Sequence, residues 1–217
     1  MSPHTESVSI AGPAGALQCA LDAPASDAAE RVRGTAVLCH PHPLHGGTMD
    51  NKVVVTLARA FVQMGLAAVR FNYRGVGASA GQWDQGRGEV DDALAVVDAL
   101  RRPGPLVLGG FSFGGYVAAA AAARLAQRGK PATRLVLVAP AATSFALAAV
   151  PPDTLVLHGE ADDVVPLAAV LAWARPQSLP VTVIPGAGHF FHGQITLLKQ
   201  LVLRAWNFPP AATHSIP

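Results

Sequence analysis

Cysteine is scarce in this sequence: Cys19 and Cys39 are the only two among 217 residues. Two thiols cannot build the disulfide framework of a small secreted domain. Charge is scarce as well, at 14% of residues against a usual ~25%. The net charge is +2 and the basic residues are scattered, so no nucleic-acid surface is expected. Long apolar runs are missing too. The greasiest stretch, Tyr116 to Ala123, stops at Arg124, far short of the ~20 residues that span a bilayer. The opening MSPHTESVSI has no basic segment followed by an apolar one, as a secretory signal would. These absences point to a cytoplasmic protein with neither a nucleic-acid nor a membrane partner. Hydrophobic residues make up 51% of the chain, which excludes disorder, and the length suits a single domain over 1–217.

Short Val/Leu-rich runs recur at Thr35–Cys39, Ala67–Asn72, Leu106–Gly109, Leu135–Ala139, Leu155–His158 and Val181–Ile184. Largely apolar, they read as strands covered on both faces of a parallel sheet. An earlier pair, around Val8–Ile10 and Leu17–Leu21, suits an antiparallel hairpin at one edge. Helical spacing fills the gaps: Val53, Leu57, Phe61 and Met64 share one face, as do Val90, Leu94, Val97 and Leu100. Phe191, Ile195, Leu198, Val202 and Trp206 form a further stripe. Alternating strand and helix predict a doubly wound, mostly parallel α/β sheet, whose ligands sit beyond the carboxyl ends of the strands.

One of those ends carries Gly110-Phe111-Ser112-Phe113-Gly114, between an apolar strand and an Ala-rich helical stretch, Phe113 to Gln127. A serine hydroxyl that attacks a carbonyl must stand clear of the sheet edge. The chain therefore turns sharply there, and flanking glycines leave room for the close approach. The Phe113 amide, at the start of the helix, then faces the developing oxyanion. Such a serine needs a base, and the base needs orienting. After the run ending at His158 come two carboxylates, Asp162 and Asp163; after the run ending at Ile184 come His189 and His192.

Ser112 in GFSFGG, Asp162 in HGEADDVVP and His189 in GAGHFF resemble the Ser-Asp-His set of the α/β-hydrolase superfamily. With CHPHPLHGGTMDNKVV and FNYRGVGASAG, the chain is similar to its small lidless members, the dienelactone-hydrolase-like enzymes and bacterial carboxylesterases, from about residue 8 to 207. The resemblance implies an α/β-hydrolase fold of about eight strands and a small ester or thioester as substrate, cleaved without a cofactor. The family pattern HG-x-x-D-x-x-VP selects Asp162 over Asp163, and His189 over His192. Dienelactone hydrolases themselves carry a cysteine where this chain has Ser112. The members it resembles draw a second oxyanion amide from the loop after the strand ending in His40. Pro41 has no N–H, so His42 is the first residue able to donate, paired with Phe113.

Two other readings stand beside this one. His40, His42 and His45 also resemble the metal-binding run of metallo-β-lactamase-like hydrolases, although Leu44 takes the place of an expected aspartate. A non-catalytic, ligand-binding homologue of the same fold is the other. Gly75-Val76-Gly77-Ala78 has the look of a dinucleotide fingerprint but no helix starts there, and Arg74 reads as an anchor for that loop. Pro140 to Pro152 is too short for a lid domain, which implies an open pocket and small acyl groups. Peptidase activity is compatible with these residues too, but it needs more substrate-orienting groups than the sequence displays.

Overall fold

A computed structural model of the chain describes residues 4–24 and 32–206; residues 1–3, 25–31 and 207–217, which fall within the expected 1–217 unit, lie outside the described residues. Eight strands form one sheet: β1 (His4–Gly12), β2 (Gly15–Ala23), β3 (Thr35–Cys39), β4 (Ala67–Phe71), β5 (Leu106–Phe111), β6 (Arg134–Val138), β7 (Leu155–Gly159) and β8 (Val181–Ile184). Their spatial order is β1-β2-β4-β3-β5-β6-β7-β8. The β1/β2 and β2/β4 pairs are antiparallel and all others parallel. The edge hairpin runs nine residues in each strand, longer than the apolar signal suggested, because the outer residues of β1 alternate toward water. This is the α/β-hydrolase fold.

The pleat explains the continuous apolar runs. Val37 and Leu108 join one buried cluster with α2 (Arg87–Leu100) and α3 (Phe113–Gln127). Their neighbours Leu38 and Val107 join another with α1 (Lys52–Gln63) and α5 (Ile195–Ala205). Helices thus cover both faces, and every residue of β3, β4 and β5 is buried. The short α4 (Leu167–Ala174) went without a sequence signal because its run LAAVLAWA is apolar on all sides. The stripe expected from Phe191 to Trp206 is helical only within α5. Phe191 sits before it at a left-handed φ of 51°, yet packs into the same core.

Chain order places the site. From β3 the chain moves outward to β4, then returns to lay β5 against the other side of β3. At such a reversal the two following loops diverge and leave a crevice. Cys39 pairs with Gly110 across it, so the loop after His40 and the turn at Ser112 lie side by side. Between β6 and β7 the described residues contain no helix or strand, and no lid domain stands there. No helix among the described residues is long and apolar enough to cross a membrane.

Candidate active site

Ser112 occupies the turn between β5 and α3 with φ 56° and ψ −119°, a conformation that costs a non-glycine residue on the order of 1–3 kcal/mol. The surroundings hold it there. Its N–H donates to the Val138 carbonyl at 2.9 Å, and its carbonyl accepts from Gly115 and Ala141. A Cβ on Gly110 would collide with the Gly114 carbonyl, and one on Gly114 with the carbonyls of Cys39 and His40. Gly110 and Gly114 are therefore dictated by backbone packed against backbone, and a Cβ on Gly115 would press on Pro140.

The Ser112 hydroxyl lies 3.0 Å from His189 Nε2, and His189 Nδ1 lies 2.7 Å from Asp162 Oδ2. The three residues come from the ends of β5, β7 and β8, 77 positions apart at the widest. Asp162 is buried and Asp163 exposed, so Asp162 is the carboxylate that the structure brings to His189. The Asp162 Oδ1 accepts the N–H groups of Val164 and Val165, which leaves Oδ2 for the imidazole. Burial by itself raises the Asp162 pKa. Hydrogen bonds from His189 and Val165 outweigh it, and the carboxyl ends below its usual value, ionised at neutral pH. Such a relay can draw a proton from the hydroxyl while the carboxylate steadies the imidazole.

Behind Asp162 stands His158, fully buried, its Nε2–H donating to the Val165 carbonyl at 2.9 Å. That bond ties down the turn whose amides grip Asp162. His192 is exposed and stacks on Phe190, away from the relay.

The three histidines after β3 do three different things. His40 is fully buried: its Nδ1–H donates to the Pro41 carbonyl at 2.7 Å, and its Nε2 accepts the Tyr73 N–H at 3.2 Å. Both nitrogens are occupied by backbone, which leaves neither for a metal. His45 is exposed and stacks on His42. Among the described residues no three His, Cys, Asp or Glu side chains are placed to hold an ion. The metal reading of His40, His42 and His45 is corrected accordingly. Burial pushes the His40 pKa down to about 4, against the opposing pull of the Pro41 carbonyl. The unfolded chain therefore binds a proton more readily than the folded one between pH 6.5 and 4. Stability is expected to fall across that window by about 2–3 kcal/mol from this residue alone. Urea titrations at pH 7 and 4.5 check this; a His40→Gln variant with the same pH slope as wild type would refute it.

His42 shapes its own loop. Its carbonyl accepts from the N–H groups of His45 and Gly47, and its Nδ1 accepts from Leu44. Among the described residues neither the His42 N–H nor the Phe113 N–H meets a protein acceptor, and the two side-chain rings lie 5.2 Å apart. Arg74, as expected, anchors its loop: Nε and Nη2 grip both oxygens of Asp92. The glycines of GVGA form a tight turn, with Gly75 and Gly77 at positive φ, and no helix begins there.

A model of the serine aminopeptidase S33 family of hydrolases matches residues 33–152. The chain belongs to this family. The match covers the sheet's centre and the Ser112 turn but stops short of Asp162 and His189, which the geometry alone brings to the serine. An α/β serine hydrolase without a lid from Xanthomonas campestris superposes with a TM-score of 0.82 at 38% identity, covering 93% of each chain. A serine hydrolase homologue from Coxiella burnetii gives 0.78 at 40% identity, over 93% of this chain and 97% of that one. An uncharacterised Rickettsia prowazekii protein is 35% identical over 72% of this chain and 71% of its own length. This α/β hydrolase thus shares its lidless form with a solved serine hydrolase.

Ser112 keeps 8% of its surface exposed. Aromatic side chains from separate loops gather around its neighbour Phe113. Trp83 and Phe145 pack on Phe113, and Tyr116 packs on both phenylalanines. Sequence reading missed Trp83, Tyr73 and Phe145, since lone aromatics in loops carry no periodic signal.

Proposed function

We propose that this hydrolase cleaves carboxylic esters or thioesters of small acyl groups through a covalent acyl-enzyme. Ser112 attacks the carbonyl carbon, and His189 accepts its proton and passes it to the departing alcohol or thiol. Asp162 holds the imidazole in the tautomer that leaves Nε2 free to accept. Water, deprotonated by the same imidazole, then releases the acid and restores the serine. The amides of His42 and Phe113 receive the negative charge on the carbonyl oxygen. The observation that carries this reading is the continuous contact from Ser112 through His189 to Asp162, at 3.0 Å and 2.7 Å.

A fluorophosphonate probe tests it, alongside a panel of small esters, thioesters and an aminoacyl anilide. Labelling of Ser112 together with ester or thioester turnover far above anilide turnover is expected. Labelling without turnover of any kind would favour the ligand-binding homologue; preferred cleavage of the anilide would favour an aminopeptidase.

The oxyanion assignment makes a separate claim. Replacing His42 by proline deletes one amide donor and is expected to lower kcat by roughly 10²- to 10³-fold. Replacement by alanine keeps the N–H and should cost far less, although it removes the ring contacts with Trp83 and Phe113. Equal activity of the two variants in steady-state assays would contradict the assignment.

A further inference from the structure

The amides assigned to the oxyanion belong to residues whose rings form part of an aromatic wall. Trp83, in the connection from β4 to α2, stands 4.6 Å from the His42 ring and 5.2 Å from Phe113. Phe145, in the connection from β6 to β7, stands 5.0 Å from Phe113 and 4.8 Å from Tyr116. Next to this wall runs a groove of about 690 Å³ bounded by Pro43, Leu44, Arg74, Gln82 and Trp83. Leu44 follows His42 by two positions and is 65% exposed, more than the other large apolar side chains left in water among the described residues. An apolar side chain held in solvent at the border of a groove is a surface that a ligand can cover.

The groove's electrostatics narrow what that ligand is. Arg74 is its one bordering charge, and both oxygens of Asp92 already hold its Nε and Nη2. The Glu89 carboxylate, close enough to act on Arg74, is itself bound by the N–H groups of Asp84 and Gly86. The arginine's charge is balanced locally, and an anionic group entering the groove meets no uncompensated cation.

We propose that the aromatic wall and groove form a subsite for a flat, uncharged aromatic arm of the substrate, with Trp83 and Leu44 selecting it. The proposal rests on Ser112 acting as nucleophile. With the carbonyl oxygen held by the His42 and Phe113 amides, one of the two arms on the reacting carbon runs along the face where Trp83 stands. A ring there gains offset stacking against the indole and covers Leu44. A linear alkyl arm covers less of both.

Ethyl butyrate, phenyl butyrate and ethyl phenylacetate place a ring on neither arm, on the leaving group and on the acyl group. Preference is read as kcat/KM relative to ethyl butyrate, and comparing each variant with wild type cancels the intrinsic reactivity of the phenyl ester. Trp83→Ala is expected to reduce preference for one ring-bearing ester by tenfold or more, chiefly through KM. Leu44→Ala should reduce it several-fold, and Trp83→Phe, which keeps a flat ring, should retain most of it. In wild type, 4-carboxyphenyl butyrate or its acyl-side counterpart should be a poorer substrate than the neutral ester. Preference unchanged within twofold for both ring-bearing esters in Trp83→Ala, or a carboxylated ring favoured over a neutral one, overturns the proposal. Fluorophosphonate titration of every preparation reports correctly folded sites. Intact labelling with unchanged preference removes the subsite alone, whereas no labelling of wild type removes the serine mechanism and the subsite with it.

Discussion

Ser112→Ala is expected to lose about 10⁶-fold in kcat toward a small activated ester, the scale of loss when a nucleophile is removed from a relay that works as a unit. The variant should remain folded. Among the described residues the only hydrogen bond of the Ser112 side chain is the 3.0 Å contact with His189, whereas its strained backbone is pinned by Val138, Gly115 and Ala141 through main-chain groups that alanine keeps. Thermal melting within a few degrees of wild type, with turnover and fluorophosphonate labelling both abolished, is the expected pair of results. Activity within tenfold of wild type would mean that the nucleophile lies elsewhere.

Asp162→Asn is expected to lower kcat about 10⁴-fold, and the reason lies in which oxygen is already spoken for. The N–H groups of Val164 and Val165 both point at Oδ1, so an asparagine must place its carbonyl oxygen there. Its amide N–H₂ then faces His189 Nδ1. That nitrogen has to accept, the ring proton moves to Nε2, and the imidazole can no longer take a proton from Ser112. Raising the pH cannot restore this geometry, so the loss should persist across the accessible range. A deficit recovered at high pH would show instead that only the charge of Asp162 mattered.

The two positions also mark how far sequence alone carries. GFSFGG was legible because a sharp strand-to-helix turn leaves no room for side chains: Gly110 and Gly114 answer to carbonyls four residues on and at the end of the adjoining strand. The parallel strands were legible because burial on both faces leaves unbroken apolar runs, as in TAVLC and LVLGGF. The edge hairpin was half legible, since the outer residues of β1 face water and carry no apolar signal. Asp162 and Asp163, by contrast, are equivalent as text, and only a family pattern separated them. In space they differ completely, one gripped by two amides and His189, the other exposed.

His40 and Trp83 lie beyond what any local pattern holds. The same CHPHPLH run was compatible with a metal site until Tyr73, 33 residues onward, was seen to occupy the Nε2 of His40. Trp83 acquires meaning only once its ring is beside His42 and Phe113. By itself, then, the sequence determined the layered α/β sheet, the strained serine turn and the order in which acid and base follow it. Periodicity and steric necessity act between near neighbours and can be read along the chain. The tertiary structure alone decided which histidine is locked in the core and which rings gather around Phe113. Those outcomes depend on hydrogen bonds and packing between loops that meet only after the sheet has assembled.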